Sequence, residues 1–131
     1  MKHFFLTVSF VTATIFSAFA ENHLTKAEND AAIRMGRQQV STIMLQFEQS
    51  VRAKNPASIK TNVVELEKLM RKGMVEAGNT INFEPKEKQA ESARKYNSLE
   101  MEVHQFHQLS KDPVANAQQL LEQAKEFQKR Y

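Results

Sequence analysis

Two histidines three residues apart, His104 and His107, with Glu100 one turn before the first, are the side chains here best placed for chemistry. At spacings of three and four they share one face of a helix. Imidazole and carboxylate are ordinary ligands of a divalent cation, so Glu100, His104 and His107 are candidate metal ligands. The competing reading is a solvated face beside an apolar seam. Thioethers are the other donors: the methionines are Met1, Met35, Met44, Met70, Met74 and Met101. They could ligate haem iron or copper, although Met at helical spacing more commonly fills core space. Cysteine is absent. That excludes thiolate nucleophiles, thiolate metal sites and covalent haem attachment through Cys-x-x-Cys-His. No Ser-His-Asp set, phosphate loop or carboxylate pair with an evident partner occurs, so the chain is not expected to be an enzyme.

The elements that must position these residues are helical. The 131 residues include only three Gly and three Pro, and neither alternating strand patterns nor hairpin dipeptides appear. A capping box of Thr25 and Glu28 predicts the start of the first helix. Its inner stripe reads Ile33, Gly36, Val40, Ile43, Phe47 and Val51, the alternation of three and four that a bundle seam requires. A tight break falls near Lys54. Asn55 and Pro56 then suit the cap and first position of a second helix, with Ile59, Val63, Leu66, Met70, Gly73 and Ala77 as its seam and Gly78-Asn79 as its stop. A loop from Asn79 to Glu84 should tuck Ile81 and Phe83 over one end. The third helix is predicted from about Pro85 to Ser110, with Tyr96, Leu99, Val103 and Phe106 inside. Asp112-Pro113 predicts the start of a fourth, carrying Val114, Ala117, Leu121, Ala124 and then Phe127 or Gln128. Short links make neighbouring helices antiparallel, so the expected fold is all-α, an up-down-up-down four-helix bundle of residues 21–131.

Residues 1–20 read as a cleaved signal peptide. Lys2 supplies a positive start, Phe4 to Phe16 is largely apolar, and Ala18-Phe19-Ala20 is a small-x-small cleavage site. The expected location is the periplasm, with Glu21 as the first mature residue. The run is too short for a membrane span and nothing later resembles one, so no membrane association is expected after cleavage. Lys and Arg number 18 against 15 Asp and Glu, with no run of like charge. A balance this close to neutral is a solvated surface and does not suggest a nucleic-acid partner.

Three stretches carry a family resemblance: Asn55-Pro-Ala-Ser-Ile-Lys, the core pattern Val63–Gly78, and the ending that runs through Val114-Ala-Asn-Ala-Gln, Glu122-Gln-Ala-Lys and Phe127-Gln-Lys-Arg-Tyr131. In these the chain resembles the soluble cytochrome b562 family, over roughly Gln39 to Tyr131. The resemblance implies a periplasmic antiparallel four-helix bundle. It also implies non-covalent haem b and a one-electron-transfer role. The family's axial ligands are a Met early in helix one and a His in the last turn of helix four. Here Val40 stands at the Met position, and Gln128 or Phe127 at the His position; anchoring on Ala117-Gln118 instead places the His beyond Tyr131. His23, Met35 and Met74 lie toward the same end and are the candidate substitute ligands. The alternatives are a haem-free periplasmic binding or stress-related bundle, whose partner would be a periplasmic protein or small molecule, and a metal-binding module built on Glu100, His104 and His107.

Overall fold

A computed structural model describes residues 24–131. Among the described residues there are four helices and no strand: α1 (Lys26–Arg52), α2 (Pro56–Phe83), α3 (Lys86–Leu109) and α4 (Ala117–Arg130). The expected leader and His23 lie outside the described residues. No described helix is long and apolar enough to cross a membrane.

Local chemistry sets most of the helix ends. Thr25 caps α1: its hydroxyl accepts from the Glu28 backbone N–H at 3.1 Å and donates to the Glu28 carboxylate at 2.9 Å. The far end of α1 closes with Lys54 in the left-handed region at φ 52°. There the Lys54 N–H donates to the Val51 carbonyl and the Asn55 N–H to the Ser50 carbonyl, the paired bonds of a Schellman motif. Asn55 ends that motif and begins α2, its side chain accepting from the Ser58 N–H at 3.2 Å, with Pro56 at the first helical position.

Two boundaries differ from the sequence expectation. The second helix does not stop at Gly78-Asn79 but runs on to Phe83. Gly78 sits inside the helix against the Tyr96 ring, where a Cβ would come within 3.1 Å of Cε2. Its missing side chain thus serves close packing and not termination. Nor does the fourth helix begin at Asp112-Pro113. Asp112 Oδ1 accepts from the Ala115 N–H in a turn, Asn116 Nδ2 donates to the Leu109 carbonyl, and α4 starts only at Ala117, 14 residues long. Val114 is consequently exposed, while Leu120, which the expected stripe omitted, is fully buried.

A single apolar core lies between the helices. α1 contributes Val40, Met44 and Phe47; α2 contributes Ile59, Val63, Leu66 and Met70; α3 contributes Leu99, Val103 and Phe106; α4 contributes Leu120, Leu121, Ala124 and Phe127. Each helix packs on its neighbours in the chain, α4 returns to α1, and α2 touches α4 across the middle. Side chains of this size each stabilise the fold by about 1.5–3 kcal/mol when removed from water, which is how a chain without disulfides holds together.

Candidate functional site

Polar groups enter the interior at both ends: near the α1–α2 turn Asn62 Nδ2 donates to Ser50 Oγ at 2.7 Å, and at the other end, where α1 residues 29–37, α2 residues 73–80 and Tyr131 meet, Asn29 and Glu76 are buried. Gly36 and Gly73 lie on the inner stripes of α1 and α2. A Cβ on Gly36 would fall 2.3 Å from the Tyr131 hydroxyl, and one on Gly73 2.8 Å from its ring. The two glycines therefore form the socket in which Tyr131, 6% exposed, is held. Phe127, one turn earlier, flanks the ring with centroids 5.3 Å apart. The Tyr131 hydroxyl donates to Glu76 Oε2 at 2.9 Å. Arg37 Nε donates to the Tyr131 main-chain oxygen at 2.8 Å and its guanidinium lies 5.8 Å from the ring centroid. Burial, and then the Glu76 hydrogen bond and charge, push the Tyr131 phenol well above its ordinary range, against an opposing pull from Arg37. The phenol thus stays a neutral donor.

Glu76 is a buried acidic residue, 6% exposed. Asn29 beside it is fully buried; its Nδ2 donates to the Glu76 carbonyl at 3.3 Å and to Thr80 Oγ1 at 2.9 Å. Asn29 Oδ1 and Glu76 Oε1 have no hydrogen-bond partner; the nearest cation to the latter is Lys72 Nζ at 3.9 Å. Buried polar groups usually have partners, and these two atoms are the exceptions among the described residues.

Directly outside the Tyr131 socket is a cleft of about 440 Å³ between α1, α2 and α3. Ile33, Gly73, Ala77 and Leu99 give it an apolar floor, and Tyr131 one wall. Thr80 and Ser92 add hydroxyls, and Arg34, Arg37 and Lys95 line it beside Asp30 and Glu84. Desolvation, and then the neighbouring Arg37 charge, lower the Lys95 pKa. Of its two acids, Asp30 is paired with Lys26 Nζ at 2.9 Å, and the mixed apolar and polar lining can bind and orient a small molecule.

The residues singled out from the sequence fall elsewhere. Met35 is exposed on a shallow groove between α1 and α2, while Met74 lines a separate groove between α2 and α3; the fold does not bring the two together. Glu100, His104 and His107 do line that second groove, of about 600 Å³, together with Arg71 and Met101. His107 Nδ1, however, lies 3.0 Å from Glu67 Oε1, which also accepts from Ser110 Oγ at 3.1 Å. Among the described residues no three His, Asp or Glu side chains are arranged to hold a metal ion. Val40 is packed in the core at 1% exposure, and Gln128 points outward, donating to Ser41 Oγ at 2.9 Å.

A haem b bound as the family resemblance implies does not fit these residues. Val40 offers iron no donor atom, the Gln128 amide is turned to the surface, and the interior at that end holds the rings of Phe127 and Tyr131. Gly36 and Gly73 fall on the expected seams of α1 and α2. Paired seam glycines at one level of two helices signal a large side chain between them, which would have pointed to Tyr131. Arg37, Lys95 and Glu76 carry no comparable signal, since charged residues on helices usually face water. No known family, curated protein sequence or solved structure matches the chain significantly.

Proposed function

We propose that this protein is an exported, haem-free four-helix bundle of the cytochrome b562 type that works as a periplasmic binding protein, its ligand held in the cleft beside Tyr131. The observation that carries this reading is the seating of Tyr131. Two glycines, a buried carboxylate and an arginine are committed to holding one aromatic ring where the family analogy calls for haem and its ligands. A chain that kept an electron-transfer role would have to keep the iron donors; this one has an apolar residue and an outward-facing amide at those positions.

Cross-helix pairs support an up-down-up-down course. Between α1 and α2, Asn29 meets Thr80 and Ser50 meets Asn62. Between α2 and α3, Glu67 meets His107 and Gly78 meets Tyr96. Between α1 and α4, Arg37 meets Tyr131, Ser41 meets Gln128 and Glu48 meets Lys125. In each set residue numbers rise on one helix as they fall on the other. Export rests on the leader pattern of residues 1–20.

Native mass spectrometry of protein recovered from a periplasmic extract tests both parts. The expected species begins at Glu21 and carries no haem. A stoichiometric haem adduct overturns the binding-protein reading, and retention of residues 1–20 overturns export.

A further inference from the structure

The groove between α2 and α3 is a separate place from the Tyr131 cleft, and two imidazoles stand in it. His104 and His107 both line it, three residues apart within the unbroken helix α3, so their Cβ atoms are about 5–6 Å from each other on one face. His107 is held from behind. Its Nδ1 lies 3.0 Å from Glu67 Oε1 on α2, and the same oxygen accepts from Ser110 Oγ at 3.1 Å. A carboxylate in that position draws the ring proton to Nδ1, which puts the lone pair of the neutral imidazole on Nε2, the nitrogen turned away from Glu67. His104 is exposed, and rotation about its side-chain bonds can bring a nitrogen beside that lone pair. The charge around the pair suits a cation. Glu100 lines the same groove, and the guanidinium that lines it, Arg71, donates to Glu67 Oε2 at 3.4 Å.

We propose that His104 and His107 form a two-imidazole clamp for one copper(II) ion, with Glu67 as the residue that positions the His107 ring. Two nitrogens at adjacent corners, with water at the rest, fit the tetragonal geometry of copper(II), and affinity for nitrogen donors among divalent first-row metals peaks at copper. A structural zinc ion asks for four tetrahedral protein ligands, and among the described residues no three His, Asp or Glu side chains are arranged to hold one ion. The copper therefore keeps open, water-filled positions and stays exchangeable. The reach of Glu67 from another helix separates this pair from two chance surface histidines: a carboxylate on the second ring nitrogen is the usual companion of a metal-binding imidazole. It also fixes the sign of the test. As a plain ion pair, Glu67 would hold a proton on His107 against the metal, and its removal would tighten copper binding; as a positioning residue, its removal loosens it.

Titration of the purified, exported protein with copper(II) near neutral pH, followed by calorimetry and electron paramagnetic resonance, tests this. His23→Ala serves as the background, so that His104 and His107 are the imidazoles of the exported chain. One copper per chain should bind, with nitrogen hyperfine structure from two imidazoles. His104→Ala and His107→Ala should each lower the affinity by at least about ten-fold, and Glu67→Ala by about ten-fold. Glu67→Gln, whose amide oxygen still accepts from Nδ1, should recover part of that loss. Helical circular dichroism should be the same in every variant, since none of these side chains belongs to the apolar core. Copper bound through one imidazole or none, an affinity indifferent to His107→Ala, or an affinity that rises in Glu67→Ala overturns the proposal. Haem content and binding at the Tyr131 cleft are separate measurements, so the reading above stands or falls independently.

Discussion

At the scale of single residues, Tyr131 and Glu76 make one unit. The phenol is the donor that the buried Glu76 carboxylate has at Oε2, and a buried acceptor stripped of its donor loses its full desolvation cost without return, about 1–3 kcal/mol. Tyr131→Phe keeps the ring and removes only that donor, so chemical denaturation should show a loss of about this size. A change below a few tenths of a kcal/mol would mean that the carboxylate is served in some other way. The socket makes a sharper prediction. Gly73→Ala drives a methyl into the Tyr131 ring and should cost about 1–3 kcal/mol as overpacking. With Tyr131→Ala in the background the space is open, and the same substitution should instead stabilise by about 0.5–1 kcal/mol, the ordinary gain of Ala over Gly within a helix. A double-mutant cycle reads the reversal of sign directly. Independent, additive effects would show that ring and glycine are not in contact.

The elements show where local sequence speaks and where it does not. The starts of α1 and α2 were legible because capping is a matter of a few adjacent residues: Thr25 with Glu28, and Asn55 with Pro56. Most of the inner stripes were legible too, from Val40 and Phe47 through Leu66 and Met70 to Leu99 and Phe106, since helical period and burial are tied together. The misreadings at Gly78 and Asp112-Pro113 share one cause. A glycine or an Asp-Pro pair carries the same local meaning in a cap, a turn or a close contact, and only the tertiary neighbour decides. For Gly78 that neighbour is Tyr96. For Asp112 it is a turn that uses the residues before α4, with Asn116 tied back to Leu109. The cleft was illegible for a related reason: Arg34, Arg37 and Lys95 come from two helices, and only the tertiary packing brings them to one cleft. The α1–α2 turn yields a prediction of its own. Lys54 adopts a left-handed conformation that costs a side-chain-bearing residue about 1–2 kcal/mol. Lys54→Gly should therefore raise the melting temperature. A fall would place the turn's stability in a Lys54 side-chain contact.

At the scale of the whole molecule, charge ties α2 to the end of α3. Burial alone would push the Glu67 carboxyl up; hydrogen bonds from His107 and Ser110, with the charges of His107 and Arg71, outweigh it and hold the pKa below its ordinary 4.5. A folded-state pKa lower than the unfolded one adds stability above about the ordinary value, and that stability is lost as pH falls through the folded value. Denaturation of the wild type and of Glu67→Gln should accordingly differ near neutrality and converge on acidification below pH 4.5. A constant difference across that range would show that the His107–Glu67 contact is not electrostatic in origin.

The central proposal is that this protein binds no haem at the end where Tyr131 is held, and visible absorption during a titration with haem tests it most directly. Six-coordinate, low-spin b-type haem requires a strong donor on each face of the ring, and neither Val40 nor the outward-turned Gln128 provides one. The purified protein should be colourless, and added haem should give only the broad spectrum of loose association with an apolar surface, with no one-to-one end point. Sharp low-spin bands that saturate at one haem per chain would contradict the account and would make His23, Met35 and Met74 the first residues to replace.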